Sequence, residues 1–281
     1  GLSGSGRLVD WEIYNRPNKG SFNGFSHFAI RAERAGQVVD ARVLNGDLHP
    51  PYSGSLNGNA YNSFGFGPNR ETLAGLPHFD EVEFTGTFPL ARLRFLDERK
   101  SFPGEVRLLA FNPFIPLNEF DSGIPGAFFE FEITNTSPEP LTYLLVGTLG
   151  NPLPANHIHT IYPEDQRTYL HLRSDSQVAG PTGAGDLTLA VEGGEISAQA
   201  FWFRGAWFDN LEVYWRELSS QPGGLKSREY PPESAGEKNA GSLGSRFTLQ
   251  PGCKQKVRFI IAWSCPVYDN YSNEATNQVA S

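Results

Sequence analysis

Apolar and polar residues alternate along much of the chain with the period-2 rhythm of half-buried strands. Phe129, Phe131 and Ile133 alternate with Glu130, Glu132 and Thr134, which gives one dry face and one wet face. That run ends in the turn cluster Asn135-Thr136-Ser137-Pro138, and Leu141 to Leu149 reads as the returning strand. Leu90 to Leu96, Val106 to Phe111, Thr168 to Arg173, Leu187 to Val191, Ile196 to Phe203 and Arg246 to Leu249 are further strands. Val257 to Trp263 is almost wholly apolar and aromatic, as expected of a strand buried on both faces. Helical periodicity is convincing once: Leu211, Tyr214, Trp215 and Leu218 share a face at i, i+3, i+4 and i+7. Asp209 is placed to cap that helix with Glu212 completing a capping box, and Gly223-Gly224 stop it.

Strands spaced in this way, with no helices alternating between them, predict a sandwich rather than a βαβ sheet. The 30 glycines and 21 prolines spread along 281 residues supply the turns such a fold needs. The expected fold is all-β: a large two-sheet antiparallel β-sandwich with one or two short helices, one domain over residues 1–281. The first 80 residues are less regular. Gly46 to Gly67, rich in Gly, Asn, Ser and Tyr, reads as long loops of functional or interface character. Ser219 to Ser242 reads as an exposed, mobile loop.

The formal charge of -8 disfavours nucleic acid and anionic membrane surfaces as partners, because both are recognised through clustered Lys and Arg. No apolar run reaches the roughly 18 to 20 residues of a membrane-spanning helix. Gly1-Leu2-Ser3-Gly4-Ser5-Gly6 is neither a signal peptide nor a transit segment, and a cytoplasmic location is favoured. Two cysteines are too few for a disulfide framework; Cys253 and Cys265 read as small core residues, Cys265 especially.

The common hydrolase, NTPase and zinc-enzyme motifs do not occur. His157 and His159 fall on one face of a strand, as in some metal sites, with Asp165 or His171 as conceivable third ligands. Without a diagnostic spacing the simpler reading prevails: two polar residues beside Pro152 and Pro154 that satisfy backbone groups. No metal and no cofactor is expected. Glu130 and Glu132 share a strand face, most simply the solvated one. Trp202, Trp207 and Trp215 lie in the densest aromatic cluster and could form a sugar-stacking platform. The competing reading is that they anchor the helix to a sheet or fill a domain interface.

Several blocks together resemble one family. Asp10-Trp11-Glu12-Ile13-Tyr14-Asn15-Arg16-Pro17-Asn18-Lys19-Gly20 is similar to the N-terminal signature of the non-lysosomal glucosylceramidase, or bile-acid β-glucosidase, family (glycoside hydrolase family 116). Ala110 to Asn118, continuing through Asp121 to Pro125, Trp202 to Asn210, and Phe259 to Ser264 resemble further blocks of it, in the right order along nearly the whole chain. The resemblance implies a β-sandwich followed in whole members by an (α/α)6 barrel that carries both catalytic carboxylates. It therefore implies no catalytic residue here, a parent reaction of retaining β-glucoside hydrolysis, and two partners: the C-terminal barrel and the glucoside substrate. Asn112-Pro113-Phe114-Ile115-Pro116 is stiffened by its prolines. The expected interdomain or cleft-rim residues are Asn112, Pro113, Phe114, Asn118, Asp121 and Ser122 on this loop, and Trp202, Arg204, Trp207 and Asp209 on the second segment. The surface they form should be an exposed apolar patch.

Overall fold

The structure is a computed structural model that describes residues 1–9, 25–46, 73, 75–153, 156–174, 185–205, 209–230 and 239–266. Its described residues form two stacked antiparallel sheets. The chain order is β1 (His27–Arg34), β2 (Gln37–Val43), β3 (Glu81–Thr87), β4 (Leu90–Leu96), β5 (Gly104–Phe111), α1 (Glu119–Ser122), β6 (Gly126–Asn135), β7 (Leu141–Gly150), β8 (His157–Glu164) and β9 (Arg167–Ser174). It continues with β10 (Asp186–Glu192), β11 (Glu195–Gln199), α2 (Asn210–Ser220), β12 (Ala240–Leu249) and β13 (Lys254–Ser264). The five-stranded sheet runs β11-β12-β7-β1-β2, and the eight-stranded sheet runs β3-β4-β5-β6-β13-β10-β9-β8.

The main core lies between the sheets. Ile30, Tyr143, Leu145 and Leu243 from the smaller sheet meet Phe129, Phe131, Ile133 and Phe259 from the larger, all buried. Each such side chain contributes about 1.5 to 3 kcal/mol by leaving water. Gly147 in β7 makes the closest approach possible, since a Cβ there would sit 2.9 Å from the Phe259 ring and 3.2 Å from Phe28. Those two rings pack at 5.4 Å through that gap.

A second cluster covers the opposite face of the smaller sheet. Ala29, Leu144 and Val146 on that face pack with Trp202, Tyr214 and Leu218. The helical face read from the sequence is the one that docks: Tyr214 and Leu218 are buried, and Leu211 and Trp215 pack partly buried beside them. Asp209 does precede α2, but its side chain makes no capping bond. The Leu211 amide is instead capped by Asn210 Oδ1 at 2.9 Å.

Four expectations change. The strands buried on both faces are β1, β7 and the first half of β12, held between the core and the cluster around α2. β13 alternates instead, with Val257, Phe259 and Ile261 buried and Arg258, Ile260 and Ala262 half-exposed. Within the stretch read as less regular, the described residues 27–43 form the hairpin of β1 and β2. The segment 219–242 is not one loose loop: β12 begins at Ala240 and is buried, and Leu225 is tied by its amide to Ser197 Oγ at 3.0 Å. Cys253 is an exposed free thiol rather than a core residue, and Cys265 is free and half-buried, its thiol pushed up to about 11 by burial. The Asp10 to Gly20 block and residues 47–67 lie outside the described residues.

Candidate functional site

Pairing across the larger sheet fixes where its loops emerge. Leu90 pairs with Phe111, Phe111 with Phe128, and Gly126 with Ala262. The β3–β4 turn, the loop between β5 and β6, and the end of β13 therefore share one edge of the sheet.

The loop between β5 and β6 is tightly closed on itself. Asn112 Nδ2 donates to the Gly126 carbonyl at 2.6 Å and pins the two ends of the loop. The Ser122 hydroxyl accepts from the Ile115 amide at 2.9 Å and donates to the Ile115 carbonyl at 3.0 Å. Asn118 caps α1 through Oδ1, which accepts from the Asp121 amide at 3.1 Å, while its Nδ2 donates to Asp121 Oδ2 at 2.6 Å. The polar residues expected at a domain junction thus spend their hydrogen bonds within the loop. What the loop offers outward is apolar.

Phe114, Ile115 and Ile124 are about half exposed, Phe120 is 86% exposed, and Leu117 is fully exposed. Phe88, 81% exposed on the neighbouring turn, meets the Phe114 ring edge-on at 4.9 Å. Six large apolar side chains therefore crowd one edge of the sheet. Sequence reasoning named Phe114 alone among them. The signal available for the others was the apolar residues interleaved in a Pro-rich loop, where no strand or helix could bury them.

The second expected segment is divided by the structure. Trp202 is only 2% exposed and its Nε1 donates to Ser242 Oγ at 2.8 Å. It packs beneath α2, stacked between Phe25 and Tyr214. Trp215 packs partly buried against the same cluster, and Trp207 lies outside the described residues. Arg204, two residues on, lies between the faces of Phe201 and Tyr230, at 4.5 and 4.6 Å. Its Nε donates to Asn239 Oδ1 at 3.0 Å. Asp209 packs against Gly205 so closely that a Cβ there would lie 1.2 Å from Oδ1.

The Arg204 charge acts on a buried histidine pair. His157 Nε2 donates to the Leu153 carbonyl at 2.6 Å, and its Nδ1 accepts from Asn239 at 3.0 Å. His159 Nδ1 donates to the Ala200 carbonyl at 2.6 Å, and its Nε2 accepts from Asn151 at 3.2 Å. All four ring nitrogens are engaged, so the pair satisfies backbone and amide groups, as the simpler sequence reading held. Burial lowers the His159 pKa to about 3 and pushes His157 down as well. Phe201 stacks on His159 at 4.2 Å and ties this network to the Trp202 segment. Among the described residues no group of three His, Cys, Asp or Glu could hold a metal ion.

Among the described residues, carboxylates of the larger sheet pair with basic side chains on its outer face. Glu130 and Glu132 lie on the outer face of the larger sheet, as their alternation implied. Glu130 pairs with Arg258, and Glu132 with Lys254 at 3.2 Å. A shallow hollow of about 330 Å³ there is lined by Glu83, Arg92, Arg94, Arg107 and these two acids. Arg94 and Glu83 pair at 2.7 Å within it.

The family model described as beta-glucosidase 2, glycosyl-hydrolase family 116 N-term, matches residues 1–279. Among curated proteins none is similar to the chain. Solved structures show distant likeness, a lyase and a galactosidase among them. A polysaccharide lyase is 11% identical, with 86% of this chain and 26% of the lyase covered and a TM-score of 0.39. The family 36 α-galactosidase AgaB from Geobacillus stearothermophilus is 8% identical, with 84% and 40% covered and a TM-score of 0.32. The chain spans about a quarter of the length of that lyase.

Proposed function

Because the chain belongs to the N-terminal domain family of glycosyl-hydrolase family 116, we propose that it is the non-catalytic β-sandwich module of a β-glucosidase- or glucosylceramidase-like enzyme. It supports a catalytic (α/α)6 domain and shapes the rim of that domain's cleft. The observation that carries this reading is the crowd of exposed apolar side chains at Phe88, Phe114, Ile115, Leu117, Phe120 and Ile124. A monomeric surface rarely concentrates apolar area in this way without a partner. The loop beneath is held shut by Asn112, Asn118, Asp121 and Ser122, so it can present those side chains without first being ordered.

Chemistry belongs to the partner in this reading. Retaining hydrolysis needs two carboxyl groups about 5 to 5.5 Å apart, one attacking the anomeric carbon and one protonating the leaving oxygen. The acids of the outer sheet face are instead neutralised by Arg and Lys. The module's part is to hold the rim in place, since small displacements of substrate-positioning groups cost catalysis heavily.

An aryl β-glucoside assay tests the proposal. This chain alone should show no turnover above background, and the whole protein should hydrolyse the glucoside. Phe114→Ser and Leu117→Ser in the whole protein should lower kcat/KM. Turnover by this chain that co-purifies with it would overturn the reading, as would whole-protein activity indifferent to the loop variants.

A further inference from the structure

The outer face of the eight-stranded sheet is banded. Strand pairing aligns Leu90, Phe111, Phe128, Ile260, Ala190, Tyr169 and Tyr162 in one row across seven strands. Phe111, Phe128, Ile260, Ala190 and Tyr169 alternate with inward, buried neighbours such as Ala110, Phe129, Ile261, Leu189 and Leu170, so the row faces away from the core, and Ala190 at its centre is itself only 4% exposed. Phe111 and Phe128 stack at 5.1 Å with planes 8° apart, and Tyr162 is half exposed. The adjacent row is ionic and satisfies itself: Arg258 bonds Glu130 and reaches Glu192 at 3.3 Å, and Arg167 pairs with the same Glu192. The charged band needs no partner. α2 packs against the other sheet and does not cover the apolar row, whose Tyr162 touches His171 and whose Tyr169 bonds Arg167 within the sheet.

We infer that this row is the docking strip for the catalytic domain of the same polypeptide, taking an apolar helix laid across the strands. The inference rests on the function proposed above and names where the partner sits. Continuity is the first support. The row joins the exposed patch at both Leu90, two residues from Phe88, and Phe111, the residue before the Asn112 loop. Chain path is the second. β13 carries Ile260 in the row, and its Trp263 amide donates to the Pro125 carbonyl at 3.1 Å, so the strand ends beside the patch. Length is the third. Seven strands at about 4.8 Å spacing make a row about 29 Å long, which matches a helix of about 19 residues at 1.5 Å rise.

Hydroxyl-radical side-chain footprinting on the whole protein tests the strip, with the denaturant-unfolded protein as the full-labelling reference. Labelling of Phe111, Phe128, Tyr169 and Tyr162 should be lost, while Val39, exposed on the other sheet, keeps it. Phe128→Lys combined with Tyr169→Lys should restore labelling at Phe111 and Tyr162, with Trp202 still unlabelled as the control for an intact sandwich. If the row labels fully while Phe114 and Phe120 are protected, the strip is wrong and the module reading stands. If row and loop both label fully and the whole protein leaves glucosides intact, both readings fall. Protection that appears only as a dimer forms would assign the row to a second copy and overturn the inference.

Discussion

The indole of Trp202 lies flat on the phenol of Tyr214, with ring centroids 3.9 Å apart and planes 13° apart. His27 completes the stack, edge-on to both rings, and accepts from the Tyr214 hydroxyl at 3.1 Å. The helix is thus clamped to β1 by aromatic contact. Trp202→Ala should destabilise the fold by about 3 to 5 kcal/mol. Tyr214→Phe, which keeps the stack and loses the hydroxyl's bonds to His27 and Thr148, should cost about 1 to 3 kcal/mol. Urea denaturation of the two variants checks the order. Trp202 fluorescence should also be indifferent to added glucose or glucosides, since no sugar can reach a ring so buried.

Arg31 and Glu33 form a buried ion pair under the C-terminus of the same helix, each side chain 1% exposed. Arg31 donates to the carbonyls of Leu218, Gln221 and Gly223, and Glu33 also accepts from Arg246 at 3.0 Å and the Gly223 amide at 3.1 Å. Burial alone would raise the Glu33 pKa; the bonds to Arg246, Gly223 and Arg31 outweigh it and hold the carboxyl below its ordinary value. Glu33→Gln should cost about 3 to 5 kcal/mol, because it leaves buried Arg31 without its counter-charge. Arg31→Met with Glu33→Leu should cost less than Glu33→Gln alone. A double-mutant cycle by chemical denaturation measures the difference.

His27 and His159 make the fold acid-sensitive. Burial lowers their pKa values to about 4 and about 3 from 6.5. Below pH 6.5 the unfolded chain binds protons that the folded chain refuses, so stability present above that pH is lost as pH falls toward the folded values. Each should remove about 2 kcal/mol between neutrality and pH 5. Thermal melts of the parent and of His159→Gln, followed from pH 7.5 to 5, should show a shallower acid loss in the variant. Parallel curves would contradict this assignment.

Leu117 holds a left-handed backbone, φ +64°, while its side chain is fully exposed. A leucine there strains the loop without local packing in return. Leu117→Gly should therefore stabilise this chain by about 0.5 to 1 kcal/mol, and in the whole protein it should weaken the interdomain contact. Opposite signs in the melt of the chain and in the activity of the whole protein would separate local strain from docking. A destabilised chain would refute the strain assigned to this residue.

Strands β4 to β6 and β9 were legible because one face of each is wet, so alternation survives in the sequence. The amphipathic stripe of α2 was legible for the same reason. β7, buried on both faces, was legible instead from its largely apolar run after a turn cluster. β1 was not: it carries Arg31 and Glu33 on a face that a helix 180 residues later seals from water, so polar letters stand at buried positions. Of the expected rim residues, Asn112 and Phe114 are exposed, while Pro113, Asn118, Asp121 and Ser122 are half-buried. Trp202 is not exposed, and a tryptophan in a loop reads alike whether its face meets solvent or Tyr214.

The sequence by itself determined the strand alternation, the helix face, the family and the stiffness of the Pro-rich loop, all of which depend on neighbours within a few residues. Only the tertiary structure decided which apolar faces are covered, that Trp202 is a clamp, and that residues from Leu90 to Ile260 form one row. The physical reason is that alternation tells which side of a strand is apolar. Register between strands far apart in the chain sets which side chains line up, and packing sets what lies over them.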